Sequence, residues 1–154
     1  MLTEPNYAGN IIVILANLPD FLRIPILKKR MIEFFSMTEI EKKEIINNAL
    51  EAGPTIPFPN FAKLFKTWLE ILSTLPQEQR DELFSGYINE ISESPQKLII
   101  FNLDGILEIF LGLKMEDRDI IAQTIKTVIN QLEPERKRKL MIIIPDNAKK
   151  YLKF

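Results

Sequence analysis

The sequence predicts an all-α protein of short helices stacked as two-helix hairpins. The chain has 154 residues but only 5 glycines, and its abundant leucine, isoleucine and lysine are typical of helices. Of seven positions spaced 19 residues apart, six are apolar and four are followed by proline, and apolar side chains follow each of them with helical spacing. We therefore expect one domain, residues 1–154, with about eight helices in an α-α superhelix; an irregular helical bundle is the alternative.

The period is clearest around Leu75 and Pro76. Steps of 19 residues from this pair reach three other pairs that contain proline, Leu18-Pro19, Ile56-Pro57 and Ser94-Pro95. They also reach three pairs without proline: Met37-Thr38, Leu113-Lys114 and Leu132-Glu133. Proline suits the first turn of a helix, where its missing N–H has no partner to lose. The ninth residue after every step is apolar: Leu27, Ile46, Phe65, Phe84, Leu103, Ala122 and Met141. This column predicts the buried stripe of each helix.

In the first half of the chain, helices are expected at residues 10–17, from Pro19 onward, and at 37–52. Pro25 should lie near the start of the second helix or kink it, because proline removes a helical hydrogen bond. Residues 53–59 contain a glycine and three prolines and predict a break. Gly53 is expected to cap the helix before it.

In the second half, helices are expected at residues 61–73, 76–91, 95–111, 115–132 and 134–144. Pro145 should end the last one and leave a short basic tail. Alternate helices share an acidic first turn and a basic residue five positions after the start: Lys42, Arg80 and Arg118. This alternation lengthens the repeat to 38 residues, a hairpin of one buried and one more solvated helix.

The composition excludes several classes of function. The chain has neither cysteine nor histidine, so it lacks thiolate chemistry, the commonest general base and the commonest transition-metal ligand. Its 20 basic residues almost balance its 21 acidic residues, which argues against a nucleic-acid binder. Residues 1–5 lack a signal peptide's basic region, and no apolar run is long enough to span a bilayer. We expect a cytoplasmic, non-enzymatic protein without a cofactor.

The turns between helices carry a family resemblance. Residues 75–80 read Leu-Pro-Gln-Glu-Gln-Arg and residues 132–137 read Leu-Glu-Pro-Glu-Arg-Lys, and Leu72 and Ile129 precede them. This pattern is similar to the intracellular N-domain of magnesium transporters and to the helical repeats of flagellar motor-switch proteins. The resemblance implies an α-superhelix that binds partners. It implies no activity, because neither a membrane-spanning half nor the motor-switch Glu-His-Pro-Gln motif accompanies it.

Two groups of charged residues are candidate sites. Glu70 and Glu108 recur at repeat spacing, with Asp104 one turn before Glu108. If they converge, these carboxylates could bind Mg²⁺ or Ca²⁺; a solvated helix face explains the same pattern. The basic run Arg136, Lys137, Arg138 and Lys139 could bind a partner, or could be a charged surface near a helix end.

The ends of the chain carry apolar runs at residues 11–15 and 140–144. Each run is apolar around nearly a full turn, which is more than one buried face requires. This predicts a homodimer through the terminal helices, unless terminal segments fold back over them. Overall, we expect a protein that mediates protein–protein interaction or assembly. The alternative is a regulatory domain that senses a divalent cation or small ligand through an acidic groove; a carboxylate-dependent enzyme is a third, weaker interpretation.

Overall fold

The structure, a computed structural model, describes residues 7–154, and this part of the chain is all-α, as predicted. It contains no strand. Its ten α-helices are α1 Tyr7–Ala16, α2 Asp20–Phe34, α3 Glu39–Ala52, α4 Phe58–Thr74, α5 Gln77–Glu93, α6 Gln96–Ile99, α7 Leu103–Leu111, α8 Met115–Asn130, α9 Pro134–Ile143 and α10 Asp146–Leu152.

The prolines of the period mark helix starts, but most stand one position before the first turn. Pro19, Pro57, Pro76 and Pro95 are the N-cap residues of α2, α4, α5 and α6. The start of α3 has a side-chain cap instead. The Thr38 hydroxyl accepts a hydrogen bond from the Glu41 backbone N–H at 3.2 Å, and the Thr38 N–H donates to the Glu41 carboxylate at 3.1 Å. This capping box satisfies two donors that the first turn would leave unpaired.

The single helix predicted at residues 95–111 is wrong, because α6 ends at Ile99 and α7 begins at Leu103. The Asn102 side chain accepts a hydrogen bond from the Gly105 N–H at 3.0 Å and so caps a new helix. The short basic tail predicted after Pro145 contains a further helix, α10. Pro145 ends α9 and at the same time serves as the N-cap of α10.

The break at residues 53–59 begins with a 3-10 turn, Gly53–Thr55. Gly53 follows α3 as predicted, but its φ of −51° is right-handed rather than the left-handed value of a typical glycine cap. Gly53 is buried, and a Cβ atom there would lie 2.6 Å from the Phe101 ring. Its lack of a side chain therefore serves packing. Pro25 lies inside α2, after its first turn.

One continuous apolar core runs from Leu15 in α1 to Leu140 in α9. Helices two places apart along the chain contact each other: α1 with α3, α2 with α4, and α3 with α5. After the α6–α7 break, α4 packs on both α7 and α8, and α5 packs on α8 and α9. Leu72 and Ile121 have no exposed surface. Alternate-helix packing also occurs in compact bundles, so the 38-residue repeat and the superhelix stay predictions.

The two ends of this core are covered differently. At the C-terminal end, α10 folds back on α8, and the Tyr151 ring meets the Phe110 ring edge-on at a centroid distance of 5.4 Å. The apolar run at residues 140–144 is mostly packed against the core, although Ile142 is 75% exposed. At the N-terminal end, apolar side chains of α1 and α2 lie in solvent.

Candidate functional site

The outward side of α2 is an exposed apolar surface. We define the outer α2 surface as Phe21, Ile24, Pro25, Lys28 and Ile32. Phe21 is 75% exposed, and Ile24 and Ile32 are each about half exposed. Four of these residues follow the helical spacing of four, three and four positions, so they share one side. Ile14 of α1, a helix that contacts α2, is 59% exposed as well.

The opposite side of α2 is the one that faces the core. Its buried residues are Arg23, Leu27, Met31 and Phe34. The helix is therefore apolar on two faces, whereas one buried stripe is enough to hold a helix on a globular protein. Contiguous exposed apolar side chains of this kind are typical of protein–protein or ligand contacts. The outer α2 surface lies outside the apolar runs at residues 11–15 and 140–144, on which the sequence-based prediction of unsatisfied apolar faces rested.

Two exposed lysines lie in or next to the outer α2 surface. Lys28 lies within it and Lys29 lies beside it, and both side chains are exposed. Neither forms an ion pair with any described residue, whereas Arg30 pairs with Glu33 at 3.6 Å. The surface therefore combines exposed apolar side chains with lysines that no described residue neutralises.

A second feature is an arginine that recurs as the fourth residue of a helix and bonds back to the turn before it. In its first copy, Arg23 is 2% exposed. Its Nη1 donates to the Leu18 carbonyl at 2.5 Å, and its Nε donates to the Thr67 hydroxyl at 3.2 Å. Its Nη2 forms an ion pair with Asp20. Every polar edge of this buried guanidinium is thus engaged, and its charge is neutralised.

Arg80 has the same position at the start of α5, in the wall of an open pocket of about 320 Å³ between α5 and α8. Its Nη1 donates to the Leu75 carbonyl, as Arg23 donates to Leu18. Its Nε is buried without a hydrogen-bond partner, and no described carboxylate pairs with it. The pocket is lined by Gln77, Arg80, Asp119, Ile120, Gln123, Thr124 and Thr127. We call it the Arg80 pocket.

The other basic residues of this series are covered or paired. Arg118 donates to the Leu111 carbonyl at 3.2 Å, and its guanidinium lies 5.8 Å from the centre of the Tyr151 ring. Lys42 donates to Glu82 at 2.5 Å and to Glu39 at 3.3 Å. The hydrogen bond to Glu82 raises the pKa of Lys42. Arg118 shares with Arg80 a buried Nε that has no hydrogen-bond partner, but the Tyr151 ring lies over its guanidinium. Arg80 lines an open pocket and pairs with no described carboxylate.

The three predicted cation ligands lie on α4 and α7. Glu70 is half-buried, whereas Asp104 and Glu108 are exposed. Glu108 lines a shallow pocket of about 240 Å³ together with Lys63 and Lys66, so cations are its neighbours. In residues 7–154, no three Asp, Glu, His or Cys side chains come close enough to hold a metal ion. The cation site stays a prediction, and a rise in melting temperature in millimolar Mg²⁺ would support it.

The predicted basic run lies on α9, and part of it bonds within the chain. Arg138 pairs with Glu135 at 3.5 Å. Lys137 donates to the Asn130 side chain at 2.8 Å, and its ammonium lies 5.4 Å from the centre of the Phe154 ring. Lys139 is exposed and Arg136 is half-buried. Binding of a partner by this run stays a prediction.

Comparison with protein families, with characterised proteins and with solved structures finds no match. The resemblance to the magnesium-transporter N-domain and the motor-switch repeats therefore stays a prediction. No helix in residues 7–154 combines the length and the apolar character needed to cross a membrane.

Proposed function

We propose that this protein is a non-enzymatic helical interaction module that binds another protein through the outer α2 surface. The observation that carries the proposal is the two-faced apolar character of α2. One face is fully used by the core, while Phe21, Ile24 and Ile32 stay exposed on the other. A partner that covered them would remove this apolar area from water, which is the main favourable term in association.

The charges favour a particular kind of partner. Lys28 and Lys29 are exposed and lack ion pairs within the described chain. A partner segment with apolar side chains flanked by aspartate or glutamate would cover the apolar centre and neutralise these lysines. A second copy meeting the same surface would bring its own lysines close to them, and this repulsion opposes a symmetric pair. We therefore commit to a different protein with an acidic, amphipathic segment.

A comparative affinity capture tests this proposal. The wild-type chain and a Phe21→Ser/Ile32→Ser double variant are immobilised and exposed to native extract. The control is Ile142→Ser, because Ile142 is as exposed as Phe21 but belongs to α9. We expect a protein that is retained by the wild type and by the control but lost with the double variant. Its retention should also weaken with Lys28→Glu/Lys29→Glu and with salt.

Two results would contradict the proposal. If the double variant retains the same proteins as the wild type, the outer α2 surface is not the contact. If light scattering at tens of micromolar gives a dimer that the double variant abolishes, the occupant is a second copy of this chain rather than a different protein. Melting curves for every variant establish that loss of binding is not loss of folding.

A further inference from the structure

We propose that the Arg80 pocket is a binding site for a carboxylate, which takes the place that the Asp20 carboxylate occupies beside Arg23. This inference concerns a different surface from the outer α2 surface and does not rest on the proposed function.

The first argument is a comparison of two sites within the chain. Each member of the Arg23 site has a counterpart 57 residues later, which is three steps of the period: Leu18 and Leu75, Asp20 and Gln77, Arg23 and Arg80, Thr67 and Thr124. The backbone contact is kept, because both arginines donate Nη1 to the carbonyl of the leucine five residues earlier. The threonine is kept too: Thr67 donates to the carbonyl four residues before it, and so does Thr124, each at 2.9 Å.

The acid is the member that is not kept. Asp20, which pairs with Arg23, is replaced by the neutral amide of Gln77. The Asp20 carboxylate thus neutralises the guanidinium in the Arg23 site, whereas the Arg80 guanidinium lines an open pocket with no acid at the matching position. Because Nε and Nη2 lie on one edge of a guanidinium, a carboxylate can bind both nitrogens side by side. In Arg23, this edge is shared by the Thr67 hydroxyl at Nε and the Asp20 carboxylate at Nη2. In Arg80, the buried Nε of the same edge has no partner, and no described carboxylate lies at Nη2.

A second comparison gives the same result from another direction. Lys42 stands 38 residues before Arg80 and is neutralised by Glu39 and Glu82. The residues 38 positions after these two acids are Gln77 and Ile120, and both line the Arg80 pocket. Whichever step is used, the position of every neutralising acid is filled by an uncharged side chain. Arg80 therefore lacks the acids that neutralise its counterparts Arg23 and Lys42.

The remaining groups of the pocket define what fits. Gln77, Gln123, Thr124 and Thr127 offer amide and hydroxyl donors around the guanidinium. Asp119 is the acid in the pocket wall, and it is exposed and forms no ion pair with Arg80. It limits the site to one negative group and disfavours phosphate or other multiply charged anions. Ile120 gives one apolar contact. A carboxylate on a short aliphatic stem matches these groups, whether it belongs to a free acid or to a glutamate side chain of another protein.

The test follows the arginine Nε–H signals by ¹⁵N NMR. Butyrate, which carries one carboxylate on a short aliphatic stem, and the capped peptide acetyl-Gly-Glu-Gly-amide are titrated into the full chain at constant ionic strength. We expect the Arg80 Nε–H signal to shift and saturate, while the Arg23 signal stays in place because its acceptors are already present. The matched variant is Gln77→Asp, which rebuilds the Asp20 arrangement. It should melt at a higher temperature and bind either probe about tenfold more weakly or not at all.

Each outcome decides between the alternatives. Saturation by butyrate and peptide alike supports a carboxylate site open to small acids, and saturation by the peptide alone supports a partner's glutamate. An Arg80 signal that does not move with either probe overturns the inference. Equal affinity of wild type and Gln77→Asp also overturns it, because the vacant acid position would then be irrelevant. Loss of binding in Arg80→Gln with retained melting temperature supports the site, and unchanged binding in that variant contradicts it.

Discussion

Replacing Gly105 by alanine tests whether α7 packs as closely on α4 as the structure requires. Gly105 is buried in the first turn of α7. A Cβ atom there would overlap the Phe58 ring, with one ring carbon at 2.8 Å, and would lie 2.8 Å from the Asn102 side-chain nitrogen. Both neighbours matter, because Phe58 fills the space between the helices and Asn102 caps α7.

The expected change in the free energy of unfolding combines one stabilising effect and two destabilising ones. Alanine is about 1 kcal/mol more favourable than glycine within a helix. Overpacking costs about 1–3 kcal/mol, and disturbing the Asn102 cap costs about 1 kcal/mol more. Phe58 is only half-buried and can tilt away, so the packing cost should fall near the lower end. We expect Gly105→Ala to destabilise the fold by about 1–2 kcal/mol.

The matched control is Gly112→Ala. Gly112 follows the same helix with a φ of −80°, which alanine adopts freely, and its nearest atoms are backbone oxygens at 3.4 and 3.5 Å. Alanine there should be neutral or stabilising by up to about 1 kcal/mol. Equilibrium unfolding in urea measures both variants. A Gly105→Ala protein as stable as Gly112→Ala would refute the close packing of α7 on Phe58.

Three further predictions concern single contacts. Thr38→Ala removes the capping box of α3 and should cost about 1 kcal/mol in urea unfolding at neutral pH. The backbone and hydroxyl hydrogen bonds from Thr38 lower the pKa of Glu41. The part of the cost that comes from the hydroxyl's bond to the Glu41 carboxylate is therefore present above the ordinary glutamate pKa and is lost as pH falls through the lowered value; a difference from wild type that stays the same in acid would contradict it. Desolvation beside Trp68 raises the pKa of Tyr87 to about 12, so tyrosinate absorbance should show a late-titrating tyrosine that Tyr87→Phe removes. The folded state then keeps a proton that the unfolded chain loses, and stability should fall between about pH 10 and 12. Tyr151→Ala removes the ring that packs on Phe110 and Arg118 and should cost about 1–3 kcal/mol; hydrogen exchange should accelerate in α10 but not in α3, and equal protection in both proteins would show that α10 does not depend on this ring.

The sequence period predicted most helices because it combines start signals with apolar columns. Pro76 and the buried Phe84 illustrate this, since one marks the start of α5 and the other its core face. The split between α6 and α7 was missed, although Asn102 is the polar exception among the eighth residues after the seven steps. The other six are apolar: Ile26, Ile45, Leu64, Leu83, Ile121 and Leu140. An asparagine in this place is a helix N-cap signal, and here it outweighed the apolar run around it.

The candidate sites depended on tertiary contacts that the sequence could not supply. Glu108 was grouped with other acids by spacing, whereas the fold places it beside Lys63 and Lys66. The outer α2 surface did have a sequence signal, because Phe21, Pro25 and Ile32 follow one helical stripe and Leu27 and Phe34 another. Arg80 was recognisable in the sequence as one of the basic residues that recur at the same position of alternate helices. Its unpaired state became visible only when the structure showed what neutralises Arg23 and Lys42.

Site-specific photo-crosslinking tests the binding role of the outer α2 surface most directly. Benzoylphenylalanine is placed at position 21 in one protein and at position 142 in another, because both native side chains are 75% exposed. After irradiation in native cells, our account predicts a discrete adduct with a different protein at position 21 and none at position 142. An adduct of twice the chain mass would mean that a second copy covers α2. The absence of any adduct specific to position 21 would contradict the account.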